Sequence, residues 1–325
     1  MSLTRTLMAT FLAAHTLLAA TAIAAQPSTY PAAPVRLVVP FPAGGPTDSL
    51  ARMLAQKLQE KWKQNVIVDN KPGAGTLIGT DIVAKAPADG LTLGMAISAY
   101  TINPSIHTRM PYDTLKDLTG VTQLATAQMV LVASPSAPFN SIPELVAYAR
   151  ARPGKLSYAS PGAGTATHLA GELFKNAAKV DIVHVPYKGS VPAQADVVGG
   201  RVEMMFDLIQ SALPMVQSGR LKVIALTSAR RDKNFRQYPV IAETIPGFEV
   251  TSVFGLIAPA GISPDLRKKI QSDAAAVINS ADMTAKLSAL GMVPVGSSPE
   301  AFNSFIKADM AKWEKVVKAN NVNIE

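Results

Sequence analysis

The apolar positions of this chain switch repeatedly between two periods. The run Val35–Val39 is continuous, β-branched and aliphatic, and it stops at Pro40, which predicts a strand buried on both faces. From Asp48 the spacing becomes helical, with Leu50, Met53, Leu54, Leu58 and Trp62 on one face. Residues 65–69, centred on Val66, Ile67 and Val68, read as a second strand closed by Asn70-Lys71-Pro72-Gly73. A helix over about 76–85 follows, Pro87-Ala88-Asp89-Gly90 breaks it, and 91–97 makes a third strand. Strands and helices in alternation, joined by short Gly/Pro connections, predict an α/β unit with a parallel sheet.

From Ser98 the rhythm is lost until 128–133, where a new apolar strand begins. Ser141 and Glu144 form a capping box that opens a helix to Ala151. Strands at 156–159, 182–185, 202–206 and 221–226 then alternate with helices at 167–178, 193–198 and up to Ser218. After an extended stretch at 248–257 come helices at 264–280 and 283–290 and a brief strand at 293–295. The last helix has Ser298 as N-cap and Pro299 at its first position, with Phe302, Phe305, Ile306, Trp313, Val316 and Val317 as its apolar face. This ending has no sheet of its own and is expected to return to the first unit. The reading is two α/β domains, 26–126 with 252–325 and 127–251, crossed twice and so hinged around a cleft.

Length agrees, since 325 residues exceed one ordinary core. Residues 1–25 read as a secretory signal peptide: Arg5 is their only charge, an apolar segment follows, and Ala22-Ile23-Ala24-Ala25 offers small residues for cleavage near Ala24 or Ala25. The mature protein is expected in the periplasm as a monomer. Cysteine is absent, which excludes disulfides and thiolate chemistry. The net charge of +8 is scattered rather than gathered on one element with aromatics, so nucleic acid is not an expected partner.

Three glycine-rich loops stand where strands lead into helices: Pro40-Phe41-Pro42-Ala43-Gly44-Gly45-Pro46-Thr47-Asp48, Gly73-Ala74-Gly75-Thr76 and Gly162-Ala163-Gly164-Thr165. Such junctions aim backbone N–H groups and the positive end of a helix dipole at one place, and suit anions. Gly73, Gly75 and Gly79 miss the dinucleotide spacing by one residue. No Walker loop, Gly-x-Ser-x-Gly elbow or paired metal-binding histidines occur, so no cofactor, metal or catalytic role is expected. His168 could donate to an anion or serve as a cap, and His184 reads as a core histidine. Asp207, at a strand's carboxyl end, would accept from a ligand or fix a loop. Lys188 and Arg109 are the cations best placed to assist an anion. With no arginine clamp at the loops, recognition would rest on backbone N–H groups, the hydroxyls of Thr47, Thr76, Thr165 and Thr167, and water, which suits carboxylates.

The loop from Pro40 to Asp48 resembles the first signature of the Bug proteins, the extracytoplasmic solute-binding proteins of tripartite tricarboxylate transporters. Further matching stretches are Asn70-Lys71-Pro72-Gly73-Ala74-Gly75, Asn103-Pro104-Ser105, Tyr158-Ala159-Ser160-Pro161-Gly162-Ala163-Gly164-Thr165, His184-Val185-Pro186-Tyr187-Lys188-Gly189-Ser190 and Met205-Phe206-Asp207. The resemblance covers essentially the whole mature chain. It implies a two-domain periplasmic-binding-protein (Venus flytrap) architecture that closes on a small organic acid, a dicarboxylate or an aromatic carboxylate, and delivers it to membrane transport subunits. A ligand-sensing role at a receptor or regulator is the alternative. Carried over by position, the ligand contacts are Phe41, Ala43, Gly44, Thr47, Ala74, Gly162, Gly164, Thr165 and Asp207, with Tyr100 and Ser160 beside them. Val253 and Tyr100 depart from the family pattern, and a change of ligand is expected there.

Overall fold

The computed structural model describes residues 30–231 and 234–320; the expected signal peptide lies outside them. No helix among the described residues is long and apolar enough to cross a membrane.

The chain begins with β1 (Val35–Val39), α1 (Pro46–Trp62), β2 (Val66–Asn70), α2 (Leu77–Ala84) and β3 (Thr92–Ile97). Next come α3 (Ser98–Ile106) and β4 (Leu118–Ala127). A second series follows: β5 (Met129–Ala133), α4 (Ile142–Ala151), β6 (Leu156–Ser160), α5 (Ala166–Ala178), β7 (Ile182–Pro186), α6 (Ser190–Val198), β8 (Met204–Leu208), α7 (Ile209–Gln217) and β9 (Lys222–Leu226). The return is made by β10 (Ser252–Pro259), α8 (Pro264–Ile278), α9 (Ala281–Ala289), β11 (Met292–Pro294) and α10 (Pro299–Asn320).

Two mixed sheets result. The first has the order β11-β4-β10-β3-β1-β2 and the second β7-β6-β8-β5-β9. β1, β2 and β3 are parallel as their alternation with helices requires, but antiparallel β10 extends them and pairs in turn with β4. In the second sheet β6 is parallel to β7 and β8, while β5 runs against β8 and β9. The sheets are the centres of two lobes. The chain passes from the first to the second between Ala127 and Met129 and returns through the segment before Ser252.

The region from Ser98 to Ala127, read as irregular, is a helix and a ten-residue strand. α3 hides its nature by carrying Pro104 inside the helix. β4 hides its own because both faces are largely covered: Gly120 and Thr122 are as buried as its leucines, only Thr119, Gln123 and Thr126 are partly exposed, and no polar–apolar alternation survives. The C-terminal helix does more than return to the first lobe. α10 packs on α3 and β4 and also on α5 of the second lobe. Its Trp313 and Val317 share one buried cluster with Ile102 and Ile106 of α3, Leu169 and Ala170 of α5, and the second-sheet residues Leu131 and Phe206.

Candidate functional site

The registers place every glycine loop on one edge. β1, β2 and β3 are parallel, so the Pro40–Thr47 loop, the Gly73–Thr76 loop and the start of α3 leave from the same side of the first sheet. Phe254 of β10 pairs with Ile97 and Ser252 with Ala127, so both chain crossings lie on that side too. In the second sheet Met129 pairs with Leu208, which puts the entry of β5 at the carboxyl ends of β8 and β6, where the Gly162–Thr165 loop starts. Helix packing closes the circuit. α3, whose Asn103 holds the Gly73–Thr76 loop, packs on α5, whose N-terminus is the Gly162–Thr165 loop.

Each loop is tied by side chains. In the first, Gly44 has φ +88° and its N–H donates to Asp48 Oδ2 at 2.9 Å. Asn70 Nδ2 donates to Phe41 O at 2.9 Å and to Asp48 Oδ1 at 3.0 Å. Arg52 Nε donates to Asp48 Oδ2 at 2.8 Å, and Arg52 Nη2 to Asn70 Oδ1 at 3.2 Å. Burial raises the Asp48 pKa, but Arg52, the Gly44 N–H and Asn70 outweigh it and hold the carboxyl below its usual range. In the second loop Ala74, Gly75 and Thr76 have successive positive φ values of +45°, +60° and +86°. Only the glycine adopts this without strain; each of the others stores roughly 1–3 kcal/mol. Asn103 Nδ2 holds the distortion by donating to Gly75 O at 3.0 Å and Thr76 Oγ1 at 3.2 Å.

The second-lobe loop rests on a neutral, buried stack. Thr165 Oγ1 donates to Gly162 O at 2.7 Å and accepts from the His168 N–H as the N-cap of α5. Ser160 Oγ lies 3.0 Å from Gly162 O and accepts the Gly162 N–H at 3.2 Å. The Gly164 N–H donates to His168 Nδ1 at 3.1 Å, which places the imidazole proton on Nε2, 4.0 Å from Glu172 Oε1. His168 stacks on His184 with ring centroids 3.9 Å apart, and His184 stacks on Tyr158 at 4.9 Å. His184 Nε2 meets Ser160 Oγ at 2.7 Å, and Tyr158 donates to Glu172 Oε1 at 2.7 Å. Burial, then Lys175, pulls the His168 pKa down to about 4. Burial and the neighbouring His168 pull His184 down to about 3. Both rings are neutral at pH 7, which leaves His168 Nδ1 free to accept.

The expected contact residues therefore divide into two groups. Ala43, Gly44 and Ala74 are exposed, and Phe41, Gly162 and Thr165 are half-buried, so these six are open to solvent. Thr47, Ser160 and Gly164 are buried behind them. The N–H groups of Gly44, Gly162 and Gly164 are already engaged, so these glycines shape the loops rather than donate to a ligand. Asp207 is wholly enclosed and accepts from Ser190 Oγ at 2.7 Å, Gln194 Nε2 at 2.8 Å and the Leu208 N–H at 2.8 Å. Of the two roles open to it, the structure shows the loop-fixing one; burial pushes its pKa up to about 6 against those three donors. Tyr100 is buried, donates to Thr114 O at 3.0 Å and belongs with Val253 to the core cluster that includes Phe302. The two departures from the family pattern therefore lie in one core cluster. His168 accepts from its loop instead of donating to an anion, and Lys188 and Arg109 are exposed. Asn70, Arg52 and Asn103 were not among the expected contacts, and they organise the loops; an asparagine at a strand end before Pro-Gly was the available signal. No group of three or more potential metal ligands occurs among the described residues.

Comparison with known proteins agrees with this architecture. Residues 50–322 match the family described as "Tripartite tricarboxylate transporter family receptor". Protein BugT of Bordetella pertussis is 35% identical over 300 residues, covering 91% of this chain and 92% of BugT. Rpa4515 of R. palustris, solved with adipate, superposes with a TM-score of 0.85 at 36% identity, covering 90% of this chain and 99% of that one. MatC of Rhodopseudomonas palustris, solved with malate, gives 0.81 at 28% identity, covering 89% and 100%. The chain belongs to the tripartite tricarboxylate transporter receptor (TctC/Bug) family of solute-binding proteins.

Proposed function

We propose that this protein captures a small organic carboxylate in the periplasm, between a domain of residues 26–126 with 252–325 and a domain of residues 127–251, and delivers it to the membrane subunits of a tripartite tricarboxylate transporter. The convergence of all three glycine loops and both chain crossings on one edge carries this reading. Hinged closure would bring Phe41, Ala43, Gly44 and Ala74 towards Gly162 and Thr165. Adipate in Rpa4515 and malate in MatC support the ligand class. The exposed loop surfaces carry no arginine clamp, so a bound acid would be held by backbone N–H groups, hydroxyls and water.

Thermal unfolding with a panel of dicarboxylates and aromatic carboxylates tests this. A ligand at 100 times its dissociation constant adds about 2.7 kcal/mol of stability. Ala163 is exposed, so Ala163→Asp leaves the fold intact while setting a like charge against the bound acid. The stabilisation is expected in the wild type and lost in this variant. Stabilisation by sugars but by no acid would refute the ligand class.

A further inference from the structure

α10 is anchored in both lobes at once. Towards the first, Thr101 Oγ1 of α3 donates to Asp309 Oδ2 at 2.6 Å, and Trp313 Nε1 donates to the same oxygen at 3.0 Å. Towards the second, Lys312 Nζ donates to Glu249 O at 3.1 Å. The next residue, Val250, is fixed to that lobe by its N–H, which donates to Thr227 O just past the end of β9 at 2.9 Å. Between these ties lies the Trp313 ring, 1% exposed, in the cluster that joins Ile102 and Ile106 of α3 to Leu169, Ala170 and Phe206 of the second lobe. Indole has a single donor, so Asp309 sets the direction in which the ring enters that cluster. From Ala33 onward the two lobes accordingly form one compact unit.

The helices that α10 joins are also those that govern the loops. α3 holds the Gly73–Thr76 loop through Asn103, and α5 begins at the Gly162–Thr165 loop. Any opening that draws α3 away from α5 exposes the apolar cluster between them, at a cost that grows with the area uncovered. α10 itself supplies none of the loop residues that face the cleft. We propose that α10 is a positioning element for the binding loops: Trp313, oriented by Asp309, holds the lobes together and raises the share of molecules in which both loops can reach one acid. Affinity follows that share, because the apparent dissociation constant is the intrinsic one divided by the competent fraction. The inference rests on the carboxylate-receptor reading above and adds residues that set the affinity without touching the acid.

The chain has no cysteine, so a spin label can be placed on each lobe without competing thiols. Ile67 on β2 and Val183 on β7 are exposed, and each strand is the outer edge of its sheet. Pulsed dipolar spectroscopy on the full mature protein carrying Ile67→Cys and Val183→Cys reads the separation of the lobes with no acid present. Titration calorimetry of the unlabelled protein with adipate and with malate reads affinity. Trp313→Leu is expected to broaden or lengthen the distance distribution and to weaken whichever acid the parent binds by at least about threefold. Trp313→Phe keeps an aromatic ring in the seam and is expected to stay closer to the parent in both measurements. Val317→Ala, a smaller change in the same cluster, is expected to act in the direction of Trp313→Leu and replaces it if that variant does not fold. A folded Trp313→Leu or Val317→Ala protein with a lowered melting temperature but unchanged distances and affinity would overturn the proposal and leave α10 a purely structural helix. Binding of neither acid by the parent would count against the receptor reading, while the distances, measured without acid, still decide the role of α10.

Discussion

The two lobes solve one problem with opposite materials. In the first, the Phe41–Gly44 loop is held by an ionised carboxylate, Asp48, whose partner Arg52 has a side chain 54% exposed. In the second, the Gly162–Thr165 loop is held by the neutral imidazole of His168, stacked on His184 and Tyr158 inside the protein. Both ties occupy glycine N–H groups and thereby fix loop shape before any ligand arrives, which reduces the ordering cost of binding. They answer to different variables. The charged tie weakens with salt and strong acid; the neutral tie weakens with mild acid and with any disturbance of packing.

The largest effect comes from breaking the packing under the second tie. A methyl at Gly171 would fall within the ring of Tyr158, which cannot swing aside because its hydroxyl is bonded to Glu172 and lies near His168 O. The equivalent intrusion in the first lobe, at Gly255, meets the Phe302 ring, which has no polar anchor. Gly171→Ala is expected to cost about 3 kcal/mol, at the upper end of overpacking penalties, and Gly255→Ala less. Urea unfolding of the two variants checks this, and an equal or reversed order would show that the hydroxyl anchor is not what stiffens the second lobe.

Acid separates the ties next. His168 has a folded pKa of about 4 against the ordinary 6.5, so the unfolded chain takes up its proton first. Its contribution is complete above about pH 6.5 and is lost as pH falls towards 4. Asp207, raised to about 6, and Asp309, also raised by burial, act in the opposite sense over part of this range. The wild type minus His168→Phe difference isolates the histidine. It is expected to shrink by about 1 kcal/mol per pH unit between pH 6 and 4, a slope close to one proton. Asp48, held low, keeps the first tie intact over that window and loses it only below its unfolded value near 3.8. A difference that stays flat with pH would mean that His168 is not the proton-sensitive member of the stack.

The same contrast explains what could be read in the sequence. Most strands and the amphipathic helices were legible because each buries one face or one continuous run, and β1 falls where the pattern put it. The glycine loops were legible as positions, since strand, glycine and helix N-terminus follow in order. Their hydrogen bonding was not. That Gly44 donates to Asp48 and Gly164 to His168 depends on side-chain geometry that spacing does not encode. Tyr100 was expected beside the ligand only through the family resemblance, yet in α3 it is buried in the core with Val253 and Phe302. α3 and β4 were missed because a proline inside a helix and polar residues on a doubly covered strand erase the periods on which such reading depends.

The smallest effect divides the first tie itself. Asp48 accepts from the Gly44 N–H, from Asn70 and from Arg52, so removing its carboxylate leaves two partly buried donors unmatched. Asp48→Ala is expected to cost about 1–2 kcal/mol, the range for stranding such groups, and to weaken acid binding by loosening Phe41–Gly44. Arg52 stands in the opposite position. It is exposed, its loss strands nothing that water cannot satisfy, and Asp48 keeps two other donors. Arg52→Met is expected to cost no more than about 0.5 kcal/mol, and still less in high salt, where a surface pair is screened. Chemical unfolding of the two single variants and the double variant at low and high salt measures the coupling directly. If Arg52→Met cost as much as Asp48→Ala at both salt concentrations, the first loop would be held by a salt bridge. The geometry instead makes it a carboxylate cap on a glycine turn, with the arginine as a solvent-facing counter-charge.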